Sequence, residues 1–249
     1  MNTKSCSATS PTTPPKTRIA DLALHPWNER FTWQVSAPPY GCLTDEQVAQ
    51  FDRDGYVVVP DVVDARTLAG ILAEIDGFEA DVEAFLSGLD DERLSIAEAG
   101  AITFTTHLVS RSARLKAFAR HPFFTGVCAD LVGPDVNLYW DQAVYKKPEK
   151  PRRFPWHQDN GYAFVEPQQY LTFWVALTDA TTDNGCPRVA RGRHREGTLA
   201  HTYVDPLGWE CFSEVDDVPV AEVEAGGVVV FSSLTPHLTG PNATGDVRK

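Results

Sequence analysis

Two histidines and one aspartate have the residue types and spacing that best suit metal chemistry in this sequence. One residue separates His157 from Asp159, and in the strand that we predict here their side chains would point to the same face. His237 follows the later apolar run VVVFSSL, with enough intervening chain to return to the same region. Two imidazoles and a carboxylate can hold Fe(II) and leave open positions on the metal. Zinc is an alternative metal for the same ligands.

A competing motif, His194-Arg195-Glu196, also places a histidine near a carboxylate. It lies in a polar, turn-like stretch, whereas His157 lies between two β-rich runs and beside aromatic residues. A strand is better suited than a turn to hold two ligands on one face. We therefore predict that His157, Asp159 and His237 form the metal site.

Thr239 and Arg248 follow His237 and indicate a second task for the same region. An arginine fork can bind a carboxylate through two hydrogen bonds, and a nearby hydroxyl can add a third. An arginine near a chain terminus is also often a solvated surface residue. The pair predicts a site for the tail of a dicarboxylate near the metal.

The elements that must position these residues begin with helices. Thr44-Asp45-Glu46-Gln47 is a capping box, and Gly55 is a suitable end for the helix that follows it. A short strand is expected at 56–60 and a second helix after Asp64. We predict further helical structure at 80–99, 111–119 and 123–131.

From about residue 136 the pattern changes to strands. Alternating or continuous apolar runs at 136–146, 170–177 and 227–232 are separated by turn-forming residues, among them Asn184-Gly185. Helices followed by strands predict either an α+β fold or a β-barrel core with flanking helices. We find no repeat and no linker, so we expect one domain over 19–249, after a disordered Ser/Thr/Pro-rich tail at 1–18.

Composition excludes several classes of protein. The 249 residues carry a net charge of −12, which disfavours non-specific binding to nucleic acid or an anionic membrane. The sequence has neither a transmembrane run nor a secretory signal. Its five cysteines are odd in number and form no C-x-x-C motif, so we expect reduced thiols and a cytoplasmic location.

Taken together, these motifs resemble the phytanoyl-CoA dioxygenase family, over roughly residues 44–249. The resemblance implies a mainly β fold with flanking helices, whose core is a double-stranded β-helix (a cupin-like jelly roll). It implies Fe(II) and 2-oxoglutarate as cofactors, with O₂ as co-substrate. The segments that carry it are W-H-Q-D (156–159), L-T-F-W-V-A-L-T-D-A-T-T-D-N-G-C-P (171–187), G-R-H-R (192–195) and V-V-F-S-S-L-T-P-H-x-T-G-P-N-x-T-x-x-x-R (229–248).

The resemblance also implies roles for single residues. His157, Asp159 and His237 match the iron ligands, so all three belong to the catalytic centre. Arg248 matches the arginine that binds the far carboxylate of 2-oxoglutarate, and Thr239 matches the hydroxyl residue that assists it. Two further residues fall on strands that line the pocket in relatives and are expected to contact 2-oxoglutarate or substrate, although ordinary barrel filling is an alternative: Gln142 and Trp174.

Two departures from the family pattern are visible. Ala190-Arg191-Gly192-Arg193-His194-Arg195 stands where P-G-S-H-R is usual. Relatives continue with a final core strand after the arginine that Arg248 matches, and this sequence ends at Lys249. We therefore expect a domain that lacks its last core strand.

The activity implied by the resemblance is that of a non-haem Fe(II)/2-oxoglutarate-dependent dioxygenase. It would hydroxylate a small organic substrate, in a family that includes tailoring enzymes of secondary metabolism. Asp159 favours hydroxylation or another oxidation, because halogenating relatives have a small residue there. Two alternatives remain open: a catalytically silent jelly-roll binding or scaffold protein, and a metalloenzyme that does not use 2-oxoglutarate.

Two basic runs, 146–153 and 188–195, stand out in an otherwise acidic sequence. They are candidate contacts for an anionic, CoA-linked or carrier-linked substrate, although two solvated loops would have the same composition. The identity of the substrate and the oligomeric state do not follow from the sequence.

Overall fold

The first helix begins where the capping box predicts it. The structure, a computed structural model, describes residues 22–215 and 218–249, so the tail predicted at 1–18 lies outside the described residues. Thr44 Oγ1 accepts from the N–H of Gln47 at 3.2 Å, and Gln47 Oε1 accepts from the N–H of Thr44 at 2.9 Å. Gly55 ends the helix with a left-handed φ of 84°, a conformation that glycine adopts without strain.

The other helices largely follow their sequence signals. Asp64 caps the second helix by accepting from the N–H groups of Arg66 and Thr67, both at 3.0 Å. Ser112, in extended conformation, caps the helix predicted at 111–119 and separates it from a short helix that was not predicted and that ends at Arg111. No helix in the described part of the chain is both long and apolar enough to cross a membrane. The helices are α1 (Asp45–Asp54), α2 (Ala65–Ser87), α3 (Leu108–Arg111), α4 (Ala113–Phe118) and α5 (Pro122–Leu131).

The strands pair in an antiparallel manner wherever the structure describes a pair. In chain order they are β1 (Tyr56–Val59), β2 (Arg93–Leu94), β3 (Ala97–Glu98), β4 (Ile102–Thr106), β5 (Gln142–Lys146), β6 (Phe154–His157), β7 (Leu171–Val175), β8 (Pro187–Val189), β9 (Thr202–Val204), β10 (Gly208–Glu210), β11 (Val228–Ser232) and β12 (His237–Thr239).

Three sheets and one hairpin build the core. The sheets have the orders β1-β11-β7, β6-β12-β8 and β2-β3-β4-β5, and β9 pairs with β10. The central strand β11 is buried on both faces: Val228 and Val230 pack against Phe51 and Val127 of the helices, while Val229 and Phe231 belong to a second apolar cluster. The result is the mainly β, jelly-roll core with flanking helices that the resemblance implies.

Two predicted elements differ from the structure. The helix predicted over 80–99 is wrong after Ser87, because Gly88 ends α2 and turns with positive φ at Glu92 and Ser95 lead into β2 and β3. The strand predicted at 136–146 is shorter, since its partner β4 ends at Thr106 opposite Gln142. Without a partner strand the preceding residues have no ladder to join.

Candidate active site

The three predicted metal ligands meet where β6 and β12 pair. His157 ends β6 and lies opposite His237, the first residue of β12. Asp159 Oδ1 lies 3.7 Å from Nε2 of His157 and 3.9 Å from Nε2 of His237. Among the residues that the structure describes, this is the one group of three or more such side chains close enough to hold a metal, with ligand atoms within 4.8 Å of one another.

Asp159 lies outside the strand in which the sequence predicted it. The strand ends at His157, and Asp159 begins a short 3-10 turn that extends to Gly161. Gln158 between them is still extended, with φ −105° and ψ 143°. Because Gln158 is extended, the side chains on either side of it share a face as they would within a strand.

Backbone carbonyls set the tautomer of both histidines. His157 Nδ1 is 2.9 Å from the carbonyl oxygen of Pro155, and His237 Nδ1 is 3.0 Å from that of Thr235. Since a carbonyl oxygen only accepts, each Nδ1 carries the proton and each Nε2 keeps its lone pair for a metal. Burial, with the neighbouring His237, holds the pKa of His157 well below its usual value and so keeps it neutral.

Aromatic rings surround the two imidazoles. Phe154 stands edge-on to His157, with 4.7 Å between ring centroids, and Tyr162 does so at 5.4 Å. Phe231 stacks on His237 at 4.7 Å with an interplanar angle of 9°. These rings remove water from one side of the site, while Asp159 is only partly buried. A partly dehydrated group of two imidazole nitrogens and one carboxylate fits an iron site with open positions.

Arg248 is a buried cation with no counter-ion among the residues that the structure describes. Its backbone pairs with that of Lys146 through two hydrogen bonds of 2.9 and 3.0 Å, and the residue is 3% exposed. Its Nε has no hydrogen-bond partner, and none of the described carboxylates forms an ion pair with it. Burial lowers the pKa of Arg248 to about 10, which still leaves it charged at neutral pH. An unpaired buried charge is costly, so this guanidinium fits an anionic ligand such as a carboxylate.

The other predicted cofactor contacts lie in three different places. Trp174 packs under Arg248, with the guanidinium carbon 5.2 Å from the ring centroid. Thr239 is buried and lies on the same face of β12 as His237. Gln142 starts β5 at an exposed position, where its Oε1 accepts from Trp140 Nε1 at 3.1 Å. Trp174 therefore contacts Arg248, whereas Gln142 is hydrogen-bonded to the exposed Trp140.

Sequence reasoning missed two residues that position this site. Thr172 Oγ1 donates to Asp159 Oδ2 at 2.6 Å. Lys146, fully buried, donates through Nζ to the carbonyls of Arg152 at 3.2 Å, Thr239 at 3.1 Å and Gly240. The period-two pattern of β7 could have found Thr172, since it shares a face with Trp174. No comparable signal marks Lys146, which stands within a basic run.

The competing histidine motif has a different role. His194 is fully buried, lies edge-on to Trp33 at 4.4 Å, and has Nε2 3.2 Å from the carbonyl oxygen of Asp52. Glu196 pairs with Arg193 instead. Burial lowers the pKa of His194 to about 4. His194 therefore connects a loop to the end of α1, and the choice of His157 over it is supported.

An antiparallel jelly roll with a His-Asp-His group and a buried unpaired arginine defines a class of proteins: the mononuclear non-haem iron oxygenases that use 2-oxoglutarate. The sequence pattern of one family, described as Phytanoyl-CoA dioxygenase (PhyH), matches residues 51–249. This chain therefore belongs to the phytanoyl-CoA dioxygenase family. It is an enzyme, an Fe(II)- and 2-oxoglutarate-dependent dioxygenase, as the sequence predicted.

Individual relatives agree with this assignment. The chain is 30% identical over 240 residues to an ectoine dioxygenase of Sphingopyxis alaskensis, covering 85% of this chain and 74% of that one. It is 25% identical over 219 residues to a methylphosphonate hydroxylase of Gimesia maris, with coverages of 83% and 78%. It is 26% identical over 242 residues to phytanoyl-CoA dioxygenase 1 of Oryza sativa subsp. japonica, with coverages of 82% and 86%.

Solved structures show the same fold. The apoform of EctD from S. alaskensis superposes with a TM-score of 0.68 at 23% identity, covering 94% of this chain and 84% of that one. The epimerase SnoN, in complex with Fe³⁺, alpha ketoglutarate and nogalamycin RO, has a TM-score of 0.66 at 23% identity, with coverages of 82% and 79%. At these identities the likeness establishes the fold alone, which is the predicted jelly roll.

Proposed function

We propose that this enzyme hydroxylates a small organic substrate at Fe(II) held by His157, Asp159 and His237, with the far carboxylate of 2-oxoglutarate bound to Arg248. The observation that carries the second half of the proposal is the unpaired, buried guanidinium of Arg248. A charged group kept without a protein counter-ion is best explained by a ligand that supplies one.

Three further residues are proposed to complete the cofactor and substrate pocket. Thr239 would assist Arg248 through its hydroxyl, since it shares the inward face of β12 with His237. Trp174 would shape the pocket from beneath the guanidinium. Gln142, at the exposed start of β5, would contact 2-oxoglutarate or the substrate at the rim.

The chemistry divides between cofactors and protein. When bound, iron and 2-oxoglutarate supply the oxidation, in which O₂ and 2-oxoglutarate yield CO₂, succinate and one oxygen atom for the substrate. In both histidines Nδ1–H donates to a backbone carbonyl, which directs Nε2 towards the metal, and burial keeps His157 neutral by lowering its pKa. Phe154 and Phe231 limit the access of water to the imidazoles. Asp159 supports hydroxylation over halogenation, because its carboxylate fills the place that chloride would need.

The charge of the substrate is a separate part of the proposal. The names of two relatives refer to anionic compounds, methylphosphonate and phytanoyl-CoA, which favours an anionic, CoA-linked or carrier-linked substrate. The first basic run adds no further argument, since four of its cations pair with protein carboxylates and the fifth, Lys146, donates to backbone carbonyls. We also propose a cytoplasmic location, supported by four free thiols: Cys42, Cys128, Cys186 and Cys211.

An anaerobic titration tests the proposal. Metal-free protein receives Fe(II) and then 2-oxoglutarate, and the visible metal-to-ligand charge-transfer band is recorded. We expect a band that Asp159→Ala abolishes and that Arg248→Ala shifts to much higher 2-oxoglutarate concentrations. Arg152→Ala, which removes an arginine paired with Glu98, is the matched control and should leave the 2-oxoglutarate dependence unchanged.

Two results would contradict the proposal. A wild-type protein without the band would not have the cofactor site. A wild type whose band develops, but that forms no succinate with any small substrate tested, would support the silent jelly-roll alternative.

A further inference from the structure

The carboxylate of Asp159 meets two different partners with its two oxygens. Oδ1 faces Nε2 of His157 and of His237 at 3.7 and 3.9 Å. Oδ2 accepts a hydrogen bond from Thr172 Oγ1 at 2.6 Å. The two oxygens are chemically equivalent in a free carboxylate, and either one alone, or both together, can bind a metal. The Thr172 hydroxyl contacts one of the two oxygens and so favours one of these arrangements.

We propose that Thr172 is a positioning residue that makes Asp159 a ligand through Oδ1 alone. A hydrogen bond to Oδ2 occupies that oxygen and opposes rotation of the carboxylate towards a bidentate arrangement. A bidentate carboxylate would take one more position on the metal, and this chemistry needs open positions for its co-substrates. The inference rests on the proposed iron site, and it is independent of the roles of Arg248 and 2-oxoglutarate.

The backbone on both sides of this contact is held independently of it. Thr172 lies on β7, where the ladder to β11 pairs it with Phe231. In the turn that carries Asp159, the N–H of Asn160 donates to the Ser233 carbonyl at 3.1 Å, and the N–H of Gln158 donates to His201 Nε2 at 3.0 Å. With both backbones fixed, the rotation of the carboxylate is the remaining freedom, and the Thr172 hydroxyl restrains it.

A buried polar network strengthens the same turn. The Gln158 side chain donates to the carbonyls of Gly197 and Leu234, and its Oε1 accepts from the N–H of Leu199 at 2.6 Å. Asn160 Nδ2 donates to Thr198 Oγ1 at 2.7 Å. Networks whose members are all satisfied are rigid. Removing the Thr172 hydroxyl should therefore change how Asp159 coordinates the metal without moving the turn.

The side chain of threonine suits this task. Its branched Cβ restricts χ1, so the hydroxyl stays aimed at one place once the strand is fixed. Valine has nearly the same shape without the hydroxyl, and serine has the hydroxyl without the second methyl group. Thr103 offers a matched comparison in the same protein, because it is fully buried and its hydroxyl donates to a carboxylate remote from the metal site, Glu79 Oε1, at 2.9 Å.

The experiment measures the affinity of the metal-free protein for Fe(II), by anaerobic competition with a chelator and without 2-oxoglutarate. We expect Thr172→Val to weaken Fe(II) binding by about 10–100-fold, the usual effect of losing a hydrogen bond to a metal ligand. Thr172→Ser should bind Fe(II) as the wild type does. Thr103→Val should lose stability in urea unfolding but keep the wild-type affinity for Fe(II).

The outcomes separate this inference from the proposed function. If the wild type binds Fe(II) and Thr172→Val binds it equally well, the positioning role is wrong while the iron site stands. If Thr103→Val weakens Fe(II) binding as much as Thr172→Val does, the effect comes from lost stability and the role is also wrong. If the wild type itself fails to bind Fe(II), the proposed iron site fails, and the inference fails with it.

Discussion

The backbone of Arg248 is hydrogen-bonded to that of Lys146, the first residue of the basic run at 146–153. The side chains of Arg248 and of the run nevertheless have different partners. In the run, Lys147 pairs with Glu79 and Glu83, Arg152 pairs with Glu98, and Arg153 pairs with Glu210. Arg248, opposite Lys146, has no carboxylate partner among the described residues, although it is buried more deeply than Arg152 or Arg153.

The difference indicates which cations serve the fold and which serve a ligand. Lys147 joins β5 and its sheet to α2, and Arg152 and Arg153 connect the loop before β6 to β3 and β10. Each of these charges is already compensated by protein. A buried cation without a counter-ion raises the free energy of the ligand-free protein. A bound anion pairs with this cation and removes that cost, which strengthens binding of the anion. Composition alone, which counts all these residues as equal, cannot make this distinction.

Replacing Lys147 tests the structural side of the comparison and should have the largest effect on stability. Lys147 Nζ lies 2.7 Å from Glu79 Oε1 and 2.8 Å from Glu83 Oε2. Lys147→Met leaves both carboxylates without their cation, and removing one partner of a buried pair typically costs about 3–5 kcal/mol. Urea unfolding of the metal-free protein measures this loss. A much smaller loss would mean that the run is not structural.

Replacing Arg248 tests the ligand side and should have the opposite pattern. Arg248→Met removes a buried charge that has no counter-ion, so the free energy of unfolding of the metal-free protein should not fall. Its affinity for 2-oxoglutarate should fall by about 2–5 kcal/mol, the typical cost of truncating one partner of a buried charge pair. The charge-transfer titration measures the affinity, and urea unfolding measures the stability. A variant that is destabilised like Lys147→Met would remove the contrast between the two regions.

His194 adds a third case to the comparison, a buried basic side chain that stays unprotonated. It is buried and forms no ion pair with a carboxylate in the described part of the chain, and burial lowers its pKa from 6.5 to about 4. The folded protein keeps His194 neutral, whereas the unfolded chain takes up a proton near pH 6.5. The free energy of unfolding should therefore fall as the pH drops from 6.5 to about 4, by up to about 1.4 kcal/mol per pH unit from this residue.

The variant His194→Gln checks this pH dependence. Glutamine can still donate to the carbonyl of Asp52 but does not titrate, so the slope of stability against pH should decrease between pH 6.5 and 4. His107→Gln, at an exposed position, is the control. An unchanged slope in His194→Gln would show that this histidine is not the group that is held neutral by burial.

The sequence predicted the site better than it predicted the elements around it. The His-x-Asp spacing required only that one intervening residue be extended, which holds although the strand ends at His157. The capping box at Thr44 and the end at Gly55 are local signals, and both are confirmed. In contrast, the residues after Ser87 form β2 and β3, because they pair with each other and with β4. Such non-local pairing is invisible to helical propensity.

The contacts that tune the site were the hardest to predict. Thr172 lies on β7 and Asp159 in the turn after β6, so their hydrogen bond depends on how β7 faces that turn. The counter-ions of the basic run come from α2, β3 and β10, far away in the chain. Charge patterning identifies the run but does not reveal these partners.

The exposed pair of Lys150 and Glu92, within the basic run, is expected to give the smallest and most discriminating effect. Lys150 Nζ lies 2.7 Å from Glu92 Oε2, as close as the Lys147 pair, but its side chain is 42% exposed against 10% for Lys147. Water compensates both charges once such a pair is broken, so Lys150→Met should change the free energy of unfolding far less than Lys147→Met does. Urea unfolding beside Lys147→Met measures the difference. Equal losses in the two variants would mean that the number of ion pairs, and not their burial, determines how this run stabilises the fold.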